Sequence, residues 1–477
     1  MKRIILALVL LASSHAMLQA QSTSDRFGPN VQKYITTEAP TIALTNANLI
    51  DGTGTAMRAG QTVVIQEGTI ISVGPTASTL IPDGAEIIDL NGHTVMPGIV
   101  GMHNHTFYTT SRRSVQMGYT AQRLYLGTGV TTVRTTGNHT PYNELNMAQA
   151  IADGEQPGPD VIASGPYLTG GSGSGSMNRV STAEEARRVV RYWASEGVTW
   201  FKAYTLISRE ALGAAIDEAH KLGVKVTAHL CSVSFREATA LGIDNVEHGL
   251  FANTDYYEGK VPDECPDDYR IPLADVDPQG EDAQQTFREM IDAGVAMTST
   301  LAVYEMYVPN RPPLEDRWLK YLSPETQSEV RATHAYHQEI GQDPGYAFSE
   351  KLLQTAMAYE RAFVAAGGLL AAGVDPTGVG MAPPGLGDQR NFLLLREAGF
   401  STEEVVQIMT LNGAKILEME DRIGSVEAGK QADLVVLEGD LTNTDQVIYN
   451  VRHVFKEGVG FNPALLMQDA EGRVGLN

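Results

Sequence analysis

Residues 97–425 alternate short apolar runs with longer amphipathic segments. The runs fall at 96–102, 130–134, 161–164, 199–203, 224–229, 245–248, 296–301 and 369–375. The runs are short and most are largely apolar, the pattern of buried parallel strands. The segments between them carry helix start and stop signals. Ser181 with Glu184 and Ser401 with Glu404 fit capping boxes. Gly197, Gly223 and Gly294 stand where a helix hands over to a strand. Eight strand–helix units predict an α/β fold, a (β/α)8 TIM barrel. An open doubly wound sheet would need a Gly-rich turn after its first strand. This chain has His103-Asn104-His105 there.

The flanks follow a different rhythm. Strand-like runs at 42–44, 62–65, 69–73 and 86–90 are separated by Asp51-Gly52, Glu67-Gly68 and Asn91-Gly92, which are turn signals. So few strands cannot close a core. Runs at 433–437 and 451–458 supply the missing partners. The pattern predicts one small β-sandwich from both chain ends, residues 21–96 with 426–477, around a barrel over 97–425. Two stretches break the regular spacing, 253–285 and 304–347, both rich in Tyr, Pro and charge. Both follow barrel strands on the face where active sites lie, and they read as lids, substrate walls or plain solvated loops.

Composition narrows the partners. The chain has 477 residues, 43% of them hydrophobic, and a formal net charge of −22. Such acidity argues against nucleic acid and anionic membranes. Residues 1–20 read as a signal peptide: Lys2 and Arg3, an apolar stretch over 4–12, then Leu18-Gln19-Ala20 before Gln21. The expected location is periplasmic or secreted, with no membrane insertion after cleavage. Two cysteines form no disulfide framework, although an oxidising compartment permits a Cys231–Cys265 bridge.

The chemistry gathers at the strand ends. His103 and His105 share one face of the first strand, because strand side chains alternate. The fourth strand ends near Lys202, the fifth in His229, the sixth in His248 and the eighth in Asp375. A parallel barrel brings all these ends to one mouth. Residues of these types, converging, suit a metal ion.

These positions, with the entry Pro97-Gly98, the strands Thr227-Ala228-His229 and Glu247-His248-Gly249, and the tail running from Asp421-Arg422-Ile423-Gly424 to Asp433-Leu434-Val435, resemble the amidohydrolase superfamily. The likeness is to its prolidase-like and imidazolonepropionase-like branch. It implies that His103, His105 and Asp375 hold one divalent ion, of zinc type, and that His229 and His248 hold a second. Lys202 would bridge the two as a carboxylated lysine, since a free ammonium has no lone pair to give. A single ion on His103, His105, His229 and Asp375 is the alternative. The implied activity is hydrolysis of an amide or peptide C–N bond in a dipeptide or N-acyl amino acid by a metal-bridging hydroxide, with Asp375 as the catalytic proton carrier. A lactone, carbamate or deamination substrate on the same site is a second reading, and a non-catalytic metal-binding barrel a third. A small-molecule substrate and a homo-oligomer are expected.

The chain departs from the family pattern at Gly101, where relatives often carry Asp, and at Thr135, where many have Asp after Arg134. A histidine that relatives often place after the third strand is missing from the Gly-rich run 170–176. That run reads as a substrate loop. Tyr108, His139 and Tyr204 lie just past ligand-bearing strands or their neighbours and are candidates for touching substrate.

Overall fold

The structure is a computed structural model that describes residues 26–37, 39–171, 177–311, 315–377 and 382–476. The signal segment 1–20 and most of the Gly-rich run lie outside the described residues. Among those described, no helix is long and apolar enough to cross a membrane.

The two chain ends meet in one nine-stranded sheet. Arg58–Gln66 pairs antiparallel with Thr41–Leu49 on one side and with Thr69–Pro75 on the other. Thr94–Pro97 pairs with Leu434–Leu437, Met96 opposite Val435. Val451–Lys456 and Val459–Phe461 continue the sheet outward. Its apolar cluster draws on both ends, with Ile42, Leu44, Val63 and Val95 packed with Leu434, Val436 and Phe455. Neither end has enough apolar area alone, so burial rewards their pairing.

The middle of the chain makes the parallel strands Ile99–Asn104, Val130–Thr135, Asp160–Ile162, Trp200–Ala203, Lys225–Ala228, Asn245–Glu247, Ala296–Ser299 and Leu370–Ala372. Successive members pair in parallel, save that the third joins the fourth through the bridge Ser164–Trp200. The Asp375 amide donates to the His103 carbonyl at 2.8 Å, linking the end of the eighth strand back to the first. The α/β content and parallel sheets fit a TIM-barrel-type fold. Gly373 permits this closure, because a Cβ there would lie 2.2 Å from the His103 nitrogen.

Two local details differ from the sequence expectation. The helix after the third strand, Ala183–Ser195, is capped one residue later, by Thr182 accepting from the Glu185 amide. The Ser401–Glu404 capping box forms as expected. The stretch 304–347 carries real helices, Asp316–Leu319 and Pro324–Ile340. The second starts on Ser323 as N-cap with Pro324 in its first turn, a strong start signal hidden among charges. Cys231 and Cys265 are joined in a disulfide. It ties the segment after the fifth strand to the 253–285 insertion.

Candidate metal centre

His103, His105, Lys202, His229, His248 and Asp375 all line one cavity of about 530 Å³ at the C-terminal ends of the strands. His103 Nε2 lies 3.2 Å from Lys202 Nζ and 3.6 Å from Asp375 Oδ2. His105 Nε2 lies 3.1 Å from Asp375 Oδ1. The His229 and His248 rings are 4.2 Å apart between centroids, and His103 and His248 are 4.6 Å apart. His103, His248 and Asp375 offer ligand atoms all within 4.8 Å of one another. That is close to what one ion with bonds of about 2 Å can span. This trio crosses the sequence-based division, which assigned His248 to a different ion from His103 and Asp375.

Backbone strain coincides with the chemistry. His248 has φ 72° and Asp375 φ 49°, both left-handed. Non-glycine residues held there cost on the order of 1 kcal/mol or more and concentrate at functional sites. The left-handed turn lifts each side chain off the end of its strand toward the cavity.

Behind these residues lies a buried polar network that sequence reading did not assign. Glu247 Oε2 meets His103 Nδ1 at 2.8 Å, and Glu247 Oε1 accepts from Arg134 at 2.6 Å. Asn245 Nδ2 donates to the same Oε1 at 2.8 Å. Arg134 is fully buried over the Trp200 ring at 4.5 Å and also donates to the Met102 carbonyl. The signal was present: Glu247 directly precedes His248, and strand alternation aims it into the barrel interior. With the His103 proton on Nδ1, Nε2 keeps its lone pair on the side of Lys202 and Asp375. Thr300 Oγ1, 2.7 Å from His248 Nδ1, orients that ring in the same way.

Burial governs the charges. It lowers the Lys202 ammonium to about 8, with Arg134 adding to the effect against Glu247 and Asp375. Burial and then the Lys202 charge take His103 down to about 4. The same causes hold His229 well below the usual histidine range. Burial lowers His248 as well, helped by His229 and His103. Burial would raise Asp375, but His103 and the hydrogen bond from His105 outweigh it and keep the carboxyl ionised. Neutral imidazoles beside an anionic carboxylate are the protonation states that metal binding requires.

The residues fit a divalent ion on a further count. His105 Nδ1, His229 Nε2 and His248 Nε2 are buried and have no hydrogen-bond partner among the described residues. An unpaired buried nitrogen is costly, and neutral imidazole is the commonest metal ligand.

Of the substrate-contact candidates, His139 and Tyr204 line the cavity. Tyr108 is buried and is not among the lining residues, whereas Phe107 and Thr109 on either side of it are. Alternation along the strand Phe107–Thr109 accounts for this. Tyr167, Arg270, Tyr304, Tyr307 and Phe348 also line the cavity and were not singled out from the sequence. Four of the five come from or adjoin the two insertions, where no periodicity marks an inward face. At Gly101 a Cβ would lie 2.2 Å from Asn104 Nδ2. The Asn104 carboxamide therefore fills the space beside residue 101, and its Oδ1 accepts from the Val374 amide at 3.3 Å.

The amidohydrolase family model matches residues 94–471, and the chain belongs to that family. It is an amidohydrolase-type hydrolase acting on C–N bonds, with a His/Asp group suited to a metal. The imidazolonepropionase of Geobacillus kaustophilus is 25% identical over 416 residues, covering 81% of this chain and 85% of that protein. The imidazolonepropionase of Bacteroides thetaiotaomicron matches locally, 55% identical over 40 residues, 8% of this chain and 10% of that protein. Among solved structures, a putative prolidase from Bifidobacterium longum superimposes with a TM-score of 0.65 at 24% identity, covering 90% of this chain and 98% of that one.

Proposed function

We propose that this chain is an exported hydrolase that uses two divalent ions, of zinc type, and a carboxylated Lys202 to cleave the amide or peptide C–N bond of a dipeptide or N-acyl amino acid. The observation that carries the reading is the convergence of six ligand-type side chains on one cavity, five of them buried and His229 half-buried, with three of their ring nitrogens lacking a hydrogen-bond partner among the described residues. A likeness to imidazolonepropionases and a putative prolidase supports C–N bond hydrolysis. The Cys231–Cys265 disulfide supports an oxidising, exported setting. The nine-stranded sheet, with its own apolar cluster, is read as the composite β-sandwich.

In this reading His103, His105 and Asp375 would hold one ion and His229 and His248 the other, with the carboxylated Lys202 as a ligand to both. When bound, the ions acidify water and polarise the substrate carbonyl. Lys202 contributes through its lowered ammonium, which leaves a share of neutral amine near pH 7. That amine attacks CO2, forms the N–C bond of a carbamate and releases one proton to solvent. The Asp375 carboxylate accepts the proton of the attacking water and delivers it to the leaving nitrogen. Tyr204, Tyr304 and Phe348 wall the cavity and exclude bulk water.

The test is metal analysis of the purified protein, chelation, and zinc add-back against a panel of dipeptides, N-acyl amino acids and lactones. Hydrolysis of the first two classes, lost on chelation and restored by zinc, is expected. Lactone cleavage alone would favour the second reading. A metal-loaded protein that cleaves nothing in the panel would overturn the enzymatic one.

A further inference from the structure

The insertion after the sixth strand delivers a cation to the cavity wall. Arg270 Nε donates to the Phe251 carbonyl at 3.2 Å, and its guanidinium carbon lies 4.3 Å from the Tyr269 ring centroid and 5.4 Å from that of Phe348. These contacts hold the side chain without neutralising it. Burial works against its charge, but Tyr269, Tyr304, which also hydrogen-bonds it, and Tyr307 outweigh burial, so the guanidinium stays charged. Among the described residues no carboxylate forms an ion pair with it. The comparison with other arginines packed into the barrel decides what this means. Arg134 holds Glu247 at 2.6 Å, Arg311 holds Glu305 at 3.0 Å, and Arg390 holds Glu305 at 2.5 Å. Arg270 alone of these faces the cavity, and it does so without a counter-charge.

A half-buried guanidinium facing a cavity without an anion gives up part of its hydration uncompensated. The cost is returned when an anion arrives, and a planar fork suits a carboxylate in bidentate fashion. Arg270 lines the same cavity as the His229 and His248 rings. The remaining wall nearby is aromatic, which suits an acid with an apolar body.

We propose that Arg270 receives the free carboxylate of the substrate, so that this site takes N-acyl amino acids and dipeptides as acids rather than as their neutral amides or esters. The inference rests on the hydrolytic reading above and narrows its substrate class.

The experiment pairs N-acetyl-L-phenylalanine with its carboxamide, N-acetyl-L-phenylalaninamide. Binding of each to the zinc-loaded protein is measured by calorimetry, alongside hydrolysis of the acyl–nitrogen bond of each. The acid is expected to bind at least tenfold more tightly than the carboxamide. In Arg270→Gln the ratio should fall to within about twofold, and Arg270→Lys, with charge but no fork, should lie between. Wild-type thermal unfolding and circular dichroism are the reference for folding of both variants. If Arg270→Gln does not fold, the wild-type ratio and Arg270→Lys decide. Equal binding of acid and carboxamide, binding of neither, or an unchanged ratio in the variants overturns the assignment of Arg270. A tenfold ratio without hydrolysis of any amide leaves the anion site standing and overturns the hydrolytic reading. Hydrolysis with no preference for the acid does the reverse.

Discussion

The amide of Asp375 donates to the carbonyl of His103 at 2.8 Å, while their side chains face each other 3.6 Å apart, His103 Nε2 to Asp375 Oδ2. One backbone contact thus closes the ring of strands and sets the distance between two candidate ligands. Gly373 makes the approach possible. Gly373→Ala should push the eighth strand away from the first, at a cost of about 1–3 kcal/mol from overpacking. It should lower the melting temperature and the zinc content together, measured by calorimetry and metal analysis. Full zinc loading with an unchanged melting temperature would disprove the role of this contact.

Glu247 bears two loads, the His103 ring and the Arg134 charge. Glu247→Gln should weaken zinc binding about 10- to 100-fold, the usual effect of losing a carboxylate behind a ligating histidine. It also strands the Arg134 guanidinium, destabilising the fold by about 3–5 kcal/mol. Chelator competition and urea unfolding read the two effects separately. The double variant Glu247→Gln with Arg134→Met should regain stability but not zinc affinity.

The Cys231–Cys265 disulfide joins the segment just past His229 to the insertion that carries Arg270. Lys260 donates to the Ser232 carbonyl at 2.7 Å and Thr254 to the Cys231 carbonyl at 3.0 Å, so the tether has polar help. Replacing both cysteines by serine should cost about 3 kcal/mol. It should raise KM for acidic substrates more than it lowers kcat, because the ligands stay on their strands while Arg270 loosens. An unchanged KM would show that the insertion holds its place unaided.

Asp433 offers a pH test away from the metal residues. Burial lifts its carboxyl to about 6, and Asp160 adds to this against the pull of Lys456. Lys456 sits 2.7 Å from Asp160 and 3.1 Å from Glu457, so its charge is divided among several carboxylates. A folded pKa raised above the unfolded value of 3.8 gives stability that is fully present below pH 4 and lost as pH rises through 6. Relative to Asp433→Asn, which does not ionise, the wild type should lose about 2–3 kcal/mol between pH 4 and pH 7.5. Urea unfolding of both proteins across that range reads the difference, and parallel curves would refute it.

The strand-end residues were legible because two periodicities coincide. Apolar runs mark the strands, and a parallel barrel sends every strand end to one face, so the sequence alone places His229, His248 and Asp375 together. Glu247 and Arg134 stood in the same runs, but their roles depend on what lies opposite them across the barrel. Arg270, Tyr307 and Phe348 lie in or beside insertions without helical or strand period, where an inward-facing residue looks like a solvated one. The Cys231–Cys265 bridge could be named as possible from the sequence but not assigned. Two cysteines 34 residues apart carry no spacing signal, and only the fold of the insertion brings them together.

The pairing of Thr94–Pro97 with Leu434–Leu437 also imposes an order of events on biosynthesis. The edge that leads into the first parallel strand stays without its neighbour until nearly the entire polypeptide has emerged. Contacts of such long sequence separation form slowly. During that interval the early β-strands expose an apolar face and open hydrogen-bonding groups, the combination that holdase chaperones cover.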